Sequence, residues 1–249
     1  MREQLIQRTM GGVKVVDHLT RQTLRSGLRL VSQDLVFAPT ASGAFQIAKA
    51  PGFAAYARSF DTVPAVAPRQ FSFEVHDNTR RFLPIAANLT LPRDAAPDAA
   101  ANRVDTPVVL ELPSAGGRAA QAGWTVMRAT VVRPDGTSIP GVLVRAMRAG
   151  TAEELGWGLT DLLGQALIPI LGVPQLTEVQ PDDDDNEPEL TTAITNIRLE
   201  LAVDANLPWP ADPAALRAGG PSIRALSPPG DIALTAGAQA HRRLTMANL

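Results

Sequence analysis

Chemistry in this chain would have to come from very few residues. His18, His76 and His241 are the only histidines, and cysteine is absent. Thiolate nucleophiles, disulfides and cysteine-based zinc sites are therefore excluded together. The three histidines fall in separate parts of the sequence, and their spacing offers no three-ligand metal motif. Asp17 and His18 are adjacent, but adjacency does not supply the mutual geometry of a catalytic triad. No Gly-x-Ser-x-Gly stretch would build a nucleophile elbow, and no lysine-bearing glycine loop would cradle a phosphate. Gly11-Gly12, Gly116-Gly117 and Gly219-Gly220 read as turn or linker signals. Thr160 and Asp161 read as turn-shaping residues. No catalytic residue, cofactor or metal ion is expected; a hydrolase using dispersed carboxylates is the enzymatic alternative.

The strongest charge feature is Pro181-Asp-Asp-Asp-Asp-Asn-Glu-Pro188. Its like charges repel and its prolines discourage regular structure, so it reads as a solvated hairpin loop. It lacks the staggered oxygen spacing of a helix-loop-helix calcium site. Asp182, Asp183, Asp184 and Asp185 are instead candidate contacts for a basic partner. Trp209, held between prolines in Leu207-Pro-Trp-Pro210, and the pair Arg242-Arg243 complete the set of expected partner-binding residues.

Composition narrows the class of partner. The 249 residues carry 23 basic and 25 acidic side chains, a formal charge of −2. No global field is available to hold nucleic acid or an anionic membrane. Tyrosine is scarce, with Tyr56 alone, which weakens the case for an aromatic platform for bases or sugars, although such a site need not be large. The first ten residues mix charged and isolated apolar side chains and lack a signal-peptide apolar region. The apolar stretch from Leu162 to Val173 is broken by Gly164, Gln165, Pro169 and Gly172, and is too short to span a bilayer. A cytoplasmic chain without membrane insertion, acting on a protein partner or on another copy of itself, is the expectation.

The elements that would position these residues are short. Twenty-one prolines and 19 glycines break the chain too often for a helical bundle. Val13 to Val16 and Leu28 to Val31 favour strands, Pro39 to Gly43 a turn, and Ala44 to Ile47 a further strand with Phe45 and Ile47 inward. In Gln70 to His76, Phe71, Phe73 and Val75 alternate with Ser72, Glu74 and His76, which predicts a half-buried strand. Asp77-Asn78-Thr79 turns it back into Phe82 to Leu91. The polar, small-residue stretch from Asp94 to Asn102 reads as an exposed loop or a boundary, after which Thr106 to Leu112 resumes strand character.

Trp124 to Val132, a turn at Pro134-Asp-Gly-Thr137 and Ile139 to Met147 read as one hairpin. Trp157 to Asp161, Leu162-Leu163-Gly164 and Gln165 to Ile170 read as a second. Thr151 to Leu155 fits a helical turn or a surface loop. Ile197, Leu199, Leu201 and Val203 keep a period of two, predicting a closing strand up to Asp204. The resulting expectation is all-β: tandem immunoglobulin-like or transthyretin-like antiparallel sandwich modules over 11–105 and 106–204, with an N-terminal extension at 1–10 and an extended, proline-containing segment at 205–249.

Ala129 to Ala146, with Pro140-Gly141, followed by Gly158-Leu-Thr-Asp-Leu-Leu-Gly-Gln-Ala-Leu-Ile-Pro-Ile170, resembles the carboxypeptidase regulatory-like or transthyretin-like sandwich family. The resemblance covers about 45 residues and rests on a strand, a turn before Pro140-Gly141, a second strand, and Thr160-Asp161-x-x-Gly164 entering a third. Gly11 to Thr20 with Ser42 to Phe45 looks like a weaker copy. The resemblance implies an accessory, adhesive or assembly module rather than a particular chemistry. In style, a cysteine-free chain with such modules and a proline-rich tail is also similar to accessory proteins of contractile phage-tail-like injection particles.

In the 205–249 segment, Ala214 to Ala218 predicts a short helical turn, and Asp231 to Thr235 has the alternation of a strand able to join a sheet edge. Arg242 and Arg243 are expected to meet an acidic surface, with Asp182 to Asp185 of a neighbouring copy as one candidate. A segment that wraps this chain's own sandwich or stays disordered is the alternative. The function expected is non-enzymatic assembly through protein contacts; a monomeric module binding a protein or carbohydrate through its sandwich loops is the alternative.

Overall fold

Short β-favouring runs separated by turn residues leave little room for helix, and the computed structural model is all-β with several discrete sheets. It describes residues 9–58, 66–93, 103–179 and 189–247. The chain divides into two units, Met1–Pro113 and Ser114–Leu249.

Unit 1 contains β1 (Gly12–Asp17), β2 (Leu28–Val31), β3 (Val36–Pro39), β4 (Phe45–Lys49), a short helix α1 (Ala54–Arg58), β5 (Arg69–Asp77), β6 (Ile85–Leu91) and β7 (Val108–Leu112). One sheet has the order β3-β4-β1-β7 and the other β2-β5-β6. The expected hairpin over 70–91 is present as β5 paired antiparallel with β6 from Arg69↔Leu91 to Val75↔Ile85. Phe71, Phe73 and Val75 are buried as the alternation requires. The Phe37 and Phe73 rings, one from each sheet, lie 5.1 Å apart between centroids.

Thr106 to Leu112 belongs to this unit. β7 runs parallel to β1 from Val13↔Val108 to Asp17↔Leu112. The division therefore falls after Pro113, whereas the sequence reading placed it between 105 and 106. Parallel neighbours need a long crossover, and here it is everything between β1 and β7. Nothing in the local pattern of either strand announces such a partner.

Unit 2 contains β8 (Val126–Val132), β9 (Leu143–Arg148), β10 (Glu154–Leu159), β11 (Gln165–Pro169), β12 (Leu176–Val179), β13 (Glu189–Thr192), β14 (Thr195–Asp204), α2 (Pro213–Ala218), β15 (Ile223–Leu226), β16 (Ile232–Leu234) and β17 (Gln239–Thr245). One sheet has the order β10-β9-β14-β15, with β16 also on β14; a second has the order β11-β8-β17, and β12-β13 forms a separate ribbon. Their inner faces share one core: Met127, Ala129 and Val131 on β8 meet Val144 and Ala146 on β9 and Ile197, Leu199, Leu201 and Val203 on β14.

Two expected hairpins are instead links between sheets. β8 pairs with β11 and β17 while β9 pairs with β10 and β14; β10 and β11 likewise lie in different sheets. The turn after β8 closes one Val132↔Ser138 bridge, after which the chain crosses to the other sheet. Turn chemistry is the same whether the following strand pairs beside its predecessor or packs across from it.

The 205–249 segment, expected as an extended tail, is built into unit 2. β15 and β16 pair antiparallel with β14, and β17 pairs parallel with β8. Ile232, Leu234 and Met246 are buried in the common core. α2 is capped by Asp212, whose Oδ1 accepts from Ala214 N at 2.9 Å and Ala215 N at 3.1 Å. Burial of apolar side chains decides this outcome: each is worth about 1.5–3 kcal/mol and binds the segment to its own sheets. Removing everything after Asp204 would take three strands, β15, β16 and β17, from unit 2.

Candidate partner-binding site

At one end of unit 2, the chain spends several hydrogen bonds on holding a short turn still. Asp161 O accepts from Gly164 N at 2.9 Å, and Asp161 N donates to Gln165 O at 2.9 Å. Asp161 Oδ1 also accepts from Leu163 N and Gln165 N, both at 2.9 Å. Gly164 closes the turn at φ 71°, a conformation that a side chain would strain.

The residue before the turn anchors it to the next loop. Thr160 is fully buried; its hydroxyl donates to Ile139 O and accepts from Val142 N, each at 2.8 Å. Gly141 N donates to Thr160 O at 3.0 Å. Pro140-Gly141 and Thr160-Asp161, distant in sequence, are thus tied together. Leu162 and Leu163 occupy the two central turn positions and are left 63% and 66% exposed.

The neighbouring β8–β9 turn is similarly fixed. Arg133 N donates to Thr137 O at 2.8 Å and Asp135 Oδ1 accepts from Thr137 N at 2.8 Å. The Thr137 backbone N–H, then its hydroxyl, hold the Asp135 carboxyl below its ordinary value. The Arg243 guanidinium lies beside Gly136 of this turn.

Trp209, expected to enter a partner's pocket, is half-buried with its ring beside Gly141 of its own unit. Arg242 and Arg243 are both exposed on β17, but they do not form one patch. Arg242 stands opposite Ala129, on the core side of the sheet, and Arg243 opposite Thr130, on the outer side. Asp182 to Asp185 lie outside the described residues.

His18 and His76 belong to unit 1 and His241 to unit 2. His18 is buried, which its turn-like sequence did not announce. Asp17 Oδ1 accepts from Leu19 N at 2.9 Å, a turn-shaping role. His76 Nε2 lies 2.7 Å from Glu74 Oε2, and His241 Nε2 lies 3.2 Å from Thr130 Oγ1. Among the described residues no group of three or more His, Asp or Glu side chains gathers as a metal cage, and no helix is long and apolar enough to cross a membrane.

Sequence reading missed two arrangements. Leu162 and Leu163 read from the sequence only as turn residues; their central positions in Asp161-x-x-Gly164 are the signal that they face outward. An ion-pair array on the outer face of β9, β10 and β14 also went unread. Arg145 Nε lies 2.8 Å from Glu154 Oε2, and Glu154 Oε1 lies 2.8 Å from Arg217 Nη2. Arg217 stacks over Trp157, 4.8 Å from the ring centroid, and fastens α2 to the sheet.

No known family model matches the chain, and no curated protein matches it.

Proposed function

We propose that this chain is an assembly protein that acts through protein contacts, with the Leu162-Leu163 turn as its principal docking point. The carrying observation is the pair of adjacent leucines, 63% and 66% exposed, on a turn whose backbone is fixed by four hydrogen bonds from or to Asp161. An apolar tip ordered before binding loses little conformational entropy when a partner covers it. Its cost in water is unrelieved in the free chain, which favours an occupied state.

The contact between Pro140-Gly141 and Thr160-Asp161 supports reading unit 2 as a carboxypeptidase regulatory-like or transthyretin-like module, since it joins the two halves of the motif that carries the resemblance. Two-sheet packing in unit 1 supports the immunoglobulin-like reading there. Incorporation into a contractile injection particle is the most specific form of the proposal, and an assembly role in the cytoplasm is its setting.

The test replaces Leu162 and Leu163 with serine in the full chain and measures native mass by light scattering and partner recovery from the native host. Loss of a specific complex with unchanged circular dichroism supports the reading, and sheath, tube or baseplate partners would support its particle form. Unchanged mass and unchanged partners would reject it.

A further inference from the structure

The strand β17 has one free side. It pairs with β8 from Gln239↔Val126 to Thr245↔Val132, and no strand among the described residues lies on its other side. Register fixes the direction of its side chains. Ala240, Arg242 and Leu244 stand opposite Met127, Ala129 and Val131, all part of the core. Ala240 and Leu244 pack against that core, and Arg242 shares their face yet remains exposed.

Across the gap between the sheets, β14 is incompletely covered. β15 pairs with Leu201 to Asp204 and β16 with Thr195 to Ile197, so among the described residues 198–200 have no ladder partner on that side. The chain loops out there through Pro228 to Asp231. A cleft of about 250 Å³ results, with Leu199, Ile232 and Leu244 as apolar lining and Asp231 and Arg242 as its charged groups.

We propose that the free edge of β17 accepts an extended segment of another protein as an added strand, with a carboxylate side chain opposite Arg242 and an apolar side chain two residues away in the cleft. Main-chain hydrogen bonds supply affinity in such an addition, and alternate side chains read the pocket beside it. Arg242 supplies the selection. A charge on the inner face of an edge strand deters pairing, because a neutral strand would desolvate the guanidinium without supplying a partner beyond the Asp231 carboxylate of the same cleft. An acidic strand removes that penalty through a charge-assisted hydrogen bond. Arg243, one residue on and facing outward, calls for a second acidic residue next to the first. A second β17 is a poor occupant, since pairing two of them sets arginines against arginines.

The probe is a fluorescein-labelled peptide of alternating threonine and valine with a central glutamate pair; its counterpart has a lysine pair instead. Both are titrated against the full chain by anisotropy, and amide exchange is followed over Gln239–Thr245. The glutamate peptide is expected to bind at least about tenfold more tightly than the lysine peptide and to slow exchange in that strand. Arg242→Glu with Arg243→Glu should reverse the preference, and Arg242→Gln, which adds no repulsion, should weaken glutamate-peptide binding while leaving unit 2 folded. Replacing Leu162 and Leu163 should leave the peptide affinity unchanged. Equal binding of the two peptides, binding of neither, or binding without slowed exchange in Gln239–Thr245 would overturn the proposal. So would self-association of the chain that blocks the peptide and disappears when Asp182 to Asp185 are replaced by serine, because the edge would then serve a second copy.

Discussion

Gly156 lies directly against the carbonyl oxygen of Pro169 in the opposite sheet: a Cβ on it would stand 1.8 Å from that oxygen. Gly158 repeats the relationship with Leu167, whose carbonyl oxygen would stand 2.5 Å from an added Cβ. Both glycines pair with inward-facing residues of β9, Gly156 with Ala146 and Gly158 with Val144. The absence of side chains here lets the backbones of β10 and β11 close this side of the sandwich.

Gly156→Ala is therefore expected to cost at least about 3 kcal/mol, since backbone rather than a flexible side chain must give way. Gly158→Ala should cost less but still destabilise. Urea denaturation of unit 2 followed by tryptophan fluorescence provides the measurement; a change below about 1 kcal/mol for Gly156→Ala would contradict the close approach.

Thr160→Val should cost about 2–4 kcal/mol, because it keeps the shape of the side chain while leaving Ile139 O and Val142 N buried without their hydroxyl partner. Thr160→Ser retains the hydroxyl and should recover most of that loss. If serine and valine prove equally destabilising, packing rather than hydrogen bonding holds the two loops together.

Asp77 links unit 1 to pH. Burial pushes its carboxyl up, but the Thr79 hydroxyl and the backbone N–H groups of Thr79, Arg81 and Phe82 together outweigh burial and hold it below its ordinary value. A depressed folded-state value means that the ionised form stabilises the fold above the unfolded-state value, and that this contribution disappears as pH falls through the folded-state one. Asp77→Asn should thus be less stable than the natural chain at neutral pH, with the gap narrowing in acid. Thermal melts of both proteins across that range test it, and a gap that widens in acid would refute the assignment.

Local pattern was legible where one residue decides one neighbour. Phe71, Phe73 and Val75 predict their own burial because successive strand side chains alternate between faces. The turn at Asp161 was legible from an aspartate and a glycine at the right spacing. Partner choice was not. Val126 to Val132 carries no mark that β17, far along the chain, will pair with it in parallel, or that β9 will cross to the other sheet. The candidate site shared that fate: Arg242 and Arg243 are expected to meet one acidic surface, but they lie in strand β17, whose alternation turns them to opposite faces, and the register against Ala129 shows that Arg242 takes the core side. Trp209 looked available because its prolines were visible and Gly141, the residue it lies against, was remote in sequence.

The pairing of β17 with β8 also sets an order of events during synthesis. Unit 1 has all its strands once Leu112 has left the ribosome, whereas β8 must wait for residues up to Thr245 before its second neighbour exists. Until then Met127, Ala129 and Val131 line a sheet that lacks one edge, a nascent surface on which chaperones or a neighbouring nascent chain can act. β1 waits in the same way for β7, so each unit passes through a stage in which a core strand lacks its second neighbour.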